Sequence, residues 1–345
     1  MPKAELHLHL DGSVRPATAL ELARERGLDE GIDLDAMRDR LTAPERCADQ
    51  AELLRAFDLP IAILQDAESL QRVAAELVWD VASDGTRYAE IRWAPAVHTG
   101  KGLSLQDVIE AVVRGVHHAT QMTADSGVSP PIIRLIAVAI RTHDPETSRR
   151  VATTAAGFLG RGVTGFDLAG VEAAMPDPMA HREAFVVARA MGLGLTVHAG
   201  EWDGPSQVRQ ALELRPTRIA HGAVAADDPE LVMELIRRGV TLDLAPTSNV
   251  QAGIYADVAE HPLARLLRAG VPITLSTDDR TVSTLTLPRE YGRVRMKLGL
   301  SFADLWRMNR QAVEVAFLHD DEKARDALRQ ELTEFERSEP LVTAA

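Results

Sequence analysis

His7 and His9 stand two residues apart in the run Ala4-Glu5-Leu6-His7-Leu8-His9-Leu10, which Asp11-Gly12-Ser13 ends. Strand side chains alternate between faces, so both imidazoles point one way and Leu6, Leu8 and Leu10 the other. Two imidazoles on one side can share a divalent cation when further ligands arrive from elsewhere. Candidates recur downstream: Asp167, His198 followed by Glu201, His221, and the pair Asp278-Asp279. Cys47 is the only cysteine, which excludes a Cys-rich zinc site and an internal disulfide. Any metal must therefore be held by imidazole and carboxylate. His7, His9 and His198 can supply three neutral nitrogens and Asp278 a carboxylate oxygen, leaving a position for water. A cation so placed brings the pKa of that water toward neutrality. His221 is then a candidate base or electrostatic partner, and Glu201, three residues past His198, is placed to shuttle protons. Asp279 points away from Asp278 if the backbone stays extended, so one carboxylate can face the metal and the other a substrate.

Residues so far apart in the chain need a fold that gathers strand ends. Apolar runs at 5–10, 88–93, 132–140, 163–168, 193–198, 218–221, 241–245 and 272–276 read as eight strands. Helical stretches alternate with them, and two more, at 302–317 and 322–336, close the chain. Eight β-α alternations predict a TIM-type (β/α)8 barrel with extra C-terminal helices. An open doubly wound sheet is the competing architecture, but no G-x-G-x-x-G follows the first strand. Barrel active sites occupy the C-terminal ends of the strands. The histidines and carboxylates named above fall at the ends of strands one, four, five, six and eight.

The stretch 14–66 reads as a helical insertion after the first strand, with helices at 16–26 and 45–65. Within it Leu53, Leu54, Phe57, Ile61 and Leu64 recur at helical spacing, as a core stripe or, in the sharper reading, a lid over the site. No domain boundary is visible, so residues 1–345 read as one barrel domain with 14–66 as its lid.

Hydrophobic residues make up 46% of the 345, enough for a large core. A formal charge of −13, from 38 basic and 51 acidic residues, argues against a nucleic-acid groove or an anionic membrane surface as the main partner. No apolar run is long enough to span a bilayer, and the first strand leaves no room for a signal peptide, so a cytoplasmic location is expected. Among the remaining histidines, His98, His117, His118, His181, His261 and His319 are assigned solvated or capping roles. His143, after the third strand, could approach the rim, and Glu172 is expected to form an ion pair.

Six blocks carry a resemblance along nearly the whole chain. In order they are Pro2-Lys3-Ala4-Glu5-Leu6-His7-Leu8-His9-Leu10-Asp11-Gly12-Ser13, Phe166-Asp167-Leu168-Ala169-Gly170, Thr196-Val197-His198-Ala199-Gly200-Glu201, Ile219-Ala220-His221-Gly222, Ala245-Pro246-Thr247-Ser248-Asn249 and Ser276-Thr277-Asp278-Asp279. Together they resemble the adenosine/AMP deaminase branch of the metal-dependent amidohydrolases. The resemblance implies one Zn²⁺ per subunit, held by His7, His9, His198 and Asp278. It implies hydrolytic deamination of a 6-aminopurine, with adenosine and 2′-deoxyadenosine going to the inosine-type products plus ammonia, as in purine salvage. Glu201 would protonate N1, His221 would orient and activate the attacking hydroxide, Asp279 would meet N7, and the backbone N–H of Gly170 would meet N3. Asp11 would bind the ribose 5′-hydroxyl, beside the metal ligand His9, while Leu54 and Phe57 match hydrophobic residues of the family's lid. The implied partners are a small purine nucleoside and water. The single cysteine separates the chain from the zinc deaminases that act on flipped bases, which need P-C-x-x-C.

Two departures sit near the expected substrate: Arg280 stands where many members have proline, and Val171 where others have an acidic residue. They leave open the sugar or 5′ substituent, as in a 5′-modified nucleoside of the aminofutalosine type; free adenine is the other alternative, and Asp11, where adenine-type relatives tend to carry glutamate, favours a nucleoside. A non-catalytic binding relative would lack a ligand or Glu201, and neither is missing. A binuclear lactonase-type barrel would carry a lysine on strand four, and 163–170 contains none.

Overall fold

The computed structural model describes residues 1–339 apart from 128 and 176; the last six residues of the expected barrel domain lie outside it. Eight strands run in the order β1-β2-β3-β4-β5-β6-β7-β8, every neighbouring pair parallel. They are β1 Lys3–His9, β2 Thr86–Trp93, β3 Ile132–Ile140, β4 Val163–Ala169, β5 Gly194–Ala199, β6 Arg218–His221, β7 Thr241–Leu244 and β8 Ile273–Leu275. A bridge between Leu8 and Asp278 brings β1 beside the chain leaving β8 and completes the (β/α)8 barrel. Two backbone hydrogen bonds make this seam: His9 N–H donates to Asp278 O at 2.8 Å, and Asp278 N–H to His7 O at 3.1 Å.

The alternation in β1 is realised as expected. Leu6, Leu8 and Leu10 are fully buried on the outer face. Leu8 and Leu10 join the main hydrophobic core. Leu6 packs instead in a separate cluster with Trp306, Val313, Leu328 and Leu332 of the helices Phe302–Val315 and Glu322–Ser338. The two C-terminal helices thus cover the outer face of the strand that carries His7 and His9. Each leucine so buried contributes roughly 1.5–3 kcal/mol of transfer free energy.

The floor of the barrel is a charged cluster under an aromatic plug. Arg218 pairs with Glu90 and, at 3.0 Å, with Asp243. Its guanidinium lies 3.8 Å from the centroid of the Phe317 ring. Gly165 and Gly194 make room for that ring, since a Cβ on either would stand 2.7 or 2.4 Å from it.

The insertion is more broken than its periodicity suggests. The expected 45–65 helix is the segments Gln50–Leu54, Arg55–Phe57 and Asp58–Ile63. Pro60 has no N–H for a helix running through from upstream, so a new helix starts within two residues of it. Three α-helices among the described residues were not expected: Leu34–Leu41, Pro246–Gln251 and Leu287–Leu298. Leu34–Leu41 is capped by Asp33, whose side chain accepts from Ala36 N–H at 2.9 Å. Leu287–Leu298 buries Leu287, Tyr291 and Val294 on one face, a stripe obscured by Gly292 and surrounding cations. No helix among the described residues is long and apolar enough to cross a membrane.

Removing the plug should open a cavity that the rigid strand ends cannot fill. Phe317→Ala is expected to cost about 3–5 kcal/mol. Urea unfolding checks this; a loss below about 1 kcal/mol would mean that the floor holds without the ring.

Candidate active site

Local backbone geometry sets the site. β1 delivers His7 and His9 from one face, β5 delivers His198, β6 ends at His221, and the seam carries Asp278. His221 and Asp278 both have φ of +67°, in the left-handed region where a non-glycine residue costs about 1–3 kcal/mol. The reversal at Asp278 means that the Asp278-Asp279 pair is not extended, contrary to the condition set above. The two carboxylates nevertheless part: Asp278 turns to the imidazoles and Asp279 to the turn after β1. There its Oδ1 lies so close to Gly12 that a Cβ at that position would sit 1.7 Å from it.

Four donor atoms crowd together. His9 Nε2 is 3.3 Å from His7 Nε2 and 3.2 Å from His198 Nε2. Asp278 Oδ1 is 2.9 Å from His7 Nε2 and 3.3 Å from His9 Nε2. Bonds of about 2.0–2.1 Å to one zinc place tetrahedral neighbours about 3.3 Å apart, so the spacing fits a shared cation. His7, His198, His221 and Asp278 also offer atoms within 4.8 Å of one another. His221 faces the other carboxylate oxygen, however, with Nε2 3.7 Å from Asp278 Oδ2 and 3.6 Å from Glu201 Oε1. It stands beside the cluster that His9 completes.

Electrostatics favour the ligand forms. Burial holds the His7 imidazole well below its ordinary pKa and brings His9 to about 3 and His221 to about 4, so their lone pairs are free at neutral pH. Burial opposes ionisation of Asp278, but the facing imidazoles of His7 and His221 hold it well below the carboxylate range. On the other side the shifts reverse. Burial, then the charges of Asp278 and Glu172, push Glu201 well above the usual carboxylate range. Burial and Asp278 do the same to Asp279, and burial lifts Asp11 to about 6.

These groups line a cavity of about 280 Å³. His9, Asp11, Gly170, His198, Glu201, His221, Asp278 and Asp279 form its polar part, while Leu53, Leu54, Phe57 and Ile61 of the insertion form an apolar cover. The apolar stripe is therefore divided: those four face the cavity and Leu64 belongs to the main core. Gln50 ties the insertion to the β4 loop, donating to Gly170 O and accepting from Ala173 N–H, each at 3.4 Å.

The supporting contacts of several residues were not foreseen in the sequence, although Asp167 and Glu172 were placed on the rim. Asp167 lies 2.8 Å from Arg92 Nη1 and 2.9 Å from His198 Nδ1, orienting the imidazole from behind. Ser248 Oγ donates to Asp278 Oδ2 at 2.7 Å. Among the described residues no ion pair of Glu172 is seen; its carboxylate accepts from the backbone N–H of Gly200, Glu201 and Trp202 at 2.6, 2.9 and 3.0 Å. It thereby fixes the loop that carries Glu201. His98, His181 and His261 are buried rather than solvated. His98 Nδ1 meets Leu64 O at 2.9 Å, and His181 lies between Ser148 Oγ and Arg141 O. His143 does not line the cavity. Arg280 turns away from it to pair with Asp84, so it offers a substrate nothing, whereas Val171 is part of the lining. A single sequence carries no signal for such supports, because they act through backbone amides or through residues far apart in the chain.

A family model described as adenosine deaminase matches residues 2–334. The chain is 36% identical over 323 residues to the adenosine deaminase of Enterococcus faecalis, with 94% of each covered. It is similar to the crystal structure of adenine deaminase from Arthrobacter aurescens, at 25% identity and a TM-score of 0.84 over 97% of this chain and 99% of that one. An amidohydrolase from Burkholderia ambifaria with bound zinc is similar at 25% identity and a TM-score of 0.85, covering 100% and 93%.

Glu172→Gln replaces one acceptor oxygen with an NH₂ facing N–H donors. The variant is expected to lose about 1–3 kcal/mol of stability, measured by denaturant titration. No loss would mean that the three amides are satisfied without the carboxylate.

Proposed function

The chain belongs to the adenosine deaminase family, hydrolases that act on C–N bonds, and from that premise we propose that it deaminates adenosine and 2′-deoxyadenosine with a zinc ion at its site. One observation carries the choice of a neutral nucleoside. Asp11, Asp58, Glu201, Asp278 and Asp279 line the cavity, and no lysine or arginine does among the described residues. A nucleoside monophosphate brings a charge of about −1.5 to −2 that would meet no lysine or arginine among the lining residues, only these five carboxyl side chains. A purine ring suits the apolar cover of Leu54 and Phe57, with polar contacts confined to one edge.

In this reading His7, His9, His198 and Asp278 hold the metal. Three imidazoles and a carboxylate are a donor set suited to zinc, which when bound acts as a Lewis acid and makes hydroxide available near neutrality. Glu201, kept protonated by its surroundings, gives its proton to N1 and so makes C6 electrophilic. His221 sits where it can orient the attacking oxygen. Asp279 holds N7, the N–H of Gly170 meets N3, and Asp11 receives the 5′-hydroxyl. Water adds at C6, the 6-amino group leaves as ammonia, and the ring is left as the 6-oxo purine. The insertion 14–66 closes over the nucleoside and keeps bulk water out.

Ammonia release tests the substrate. Adenosine and 2′-deoxyadenosine are expected to turn over at least about a hundredfold faster, by kcat/KM, than adenosine monophosphate. A preference for the monophosphate, for free adenine or for a 5′-substituted adenosine would reject the nucleoside assignment. Glu201→Gln should retain its metal, by elemental analysis, yet lose about a hundredfold or more in kcat. Near-normal turnover in that variant would remove Glu201 from proton transfer.

A further inference from the structure

A line of hydrogen bonds whose direction is set from one end runs from a helix terminus into the site. The helix Leu263–Ala269 begins with a backbone N–H that has no intrahelical acceptor. Leu263 N–H donates to His261 Nδ1 at 3.2 Å. A backbone amide can only donate, so Nδ1 of neutral His261 is bare and its proton sits on Nε2. That Nε2 is 3.1 Å from Asn249 Oδ1, which accepts. The Asn249 amide is thereby oriented, and its Nδ2 stands 3.2 Å from His221 Nδ1. An NH₂ can only donate, so His221 Nδ1 is the acceptor and the ring proton lies on Nε2. The flipped amide would set Nδ2 against the protonated Nε2 of His261, donor against donor.

The surroundings keep this line in one state. His261 is 3% exposed, and burial brings its pKa to about 3, so the ring stays neutral. Tyr255 packs edge-on against it, with centroids 4.8 Å apart. At the other end His221 Nε2 is buried without a hydrogen-bond partner among the described residues, between Glu201 and Asp278.

We propose that His261, acting through Asn249, is a positioning residue that holds neutral His221 with its proton on Nε2. His221 then offers the reacting oxygen a hydrogen-bond donor and not a basic lone pair. It stabilises negative charge on that oxygen and does not take its proton. This deepens the deaminase reading and rests on it for the identity of the reacting oxygen; the tautomer itself does not.

Ring-nitrogen NMR of the full chain, zinc-loaded and labelled with ¹⁵N-histidine, tests the tautomer directly, with His221 assigned from the signals lost in His221→Gln. A protonated Nε2 and a bare Nδ1 are expected; the opposite pattern overturns the proposal. Asn249→Asp can only accept and should place a proton on His221 Nδ1, lowering kcat about a hundredfold at nearly unchanged KM. An unaltered His221 signature in that variant would overturn the role of Asn249. His261→Gln keeps an N–H donor toward Asn249 and should retain kcat within about threefold, whereas His261→Phe should lose tenfold or more. Equal losses in the two would reduce His261 to a packing residue. If the parent protein fails to deaminate adenosine, the functional assignment falls while the NMR result still decides the tautomer.

Discussion

Lone pairs set against lone pairs at the seam between β1 and β8 govern the upper half of this barrel. Three imidazole nitrogens and a carboxylate oxygen meet at 2.9–3.3 Å in a place that water barely reaches. Lone pairs set against each other repel, and burial keeps His7 and His9 from protonating to relieve it. A cation at their centre would reconcile them. The backbone accepts strain to bring them there: Asp278 adopts a left-handed φ and is held in it by two hydrogen bonds to β1. The same two bonds close the barrel, so fold closure and ligand placement are one event. An insertion of one residue in β1 would turn His7 and His9 outward and break both.

Around that centre the protein divides its acids into two populations. Asp278 and Asp167 face imidazoles or Arg92 and are held ionised against the cost of burial. Burial, joined for Glu201 and Asp279 by the charge of Asp278, raises Glu201, Asp279 and Asp11 above the usual carboxylate range. Opposed shifts in neighbouring carboxyl groups suit acid and base roles at a single pH. Glu172 contributes twice, since the carboxylate that fixes the Glu201 loop through three amides also raises the pKa of Glu201.

The barrel was legible because its strands obey local rules. Alternation in β1 and the apolar run of β3, interrupted only by Arg134, show which faces are buried, and turn residues mark most ends to within one or two positions. The convergence of His7, His9, His198, His221 and Asp278 followed from a property of the fold, that strand ends share a rim. The insertion was less legible: Pro60 reset a helix that periodicity alone carried through, and cationic residues hid the stripe of Leu287–Leu298. Among the buried histidines, His261 does meet a helix start, one of its two expected roles, by accepting from Leu263 N–H, but its burial was not foreseen. Whether His261 is solvated depends on Asn249 and Leu263 meeting it in space, and neither spacing nor composition encodes that contact. Arg280 looked like a substrate neighbour from its place beside Asp279, but side-chain direction, not sequence position, sends it to Asp84.

The two ends of the barrel use the same residue types to opposite effect. At the floor Arg218, Glu90, Asp243 and Thr274 satisfy one another, with Phe317 N–H donating to Glu90 and its ring covering the guanidinium. Buried charges that are fully paired in this way stiffen a structure and leave nothing to react. At the mouth the pairing is incomplete. Asp11 Oδ1, Asp279 Oδ1, His221 Nε2 and Trp202 Nε1 are buried without a hydrogen-bond partner among the described residues. Each such atom costs about 1–3 kcal/mol, a cost that the satisfied floor and the large apolar core offset. A ligand that meets these atoms recovers that free energy on binding. Recognition at the mouth thus draws on stability supplied at the floor.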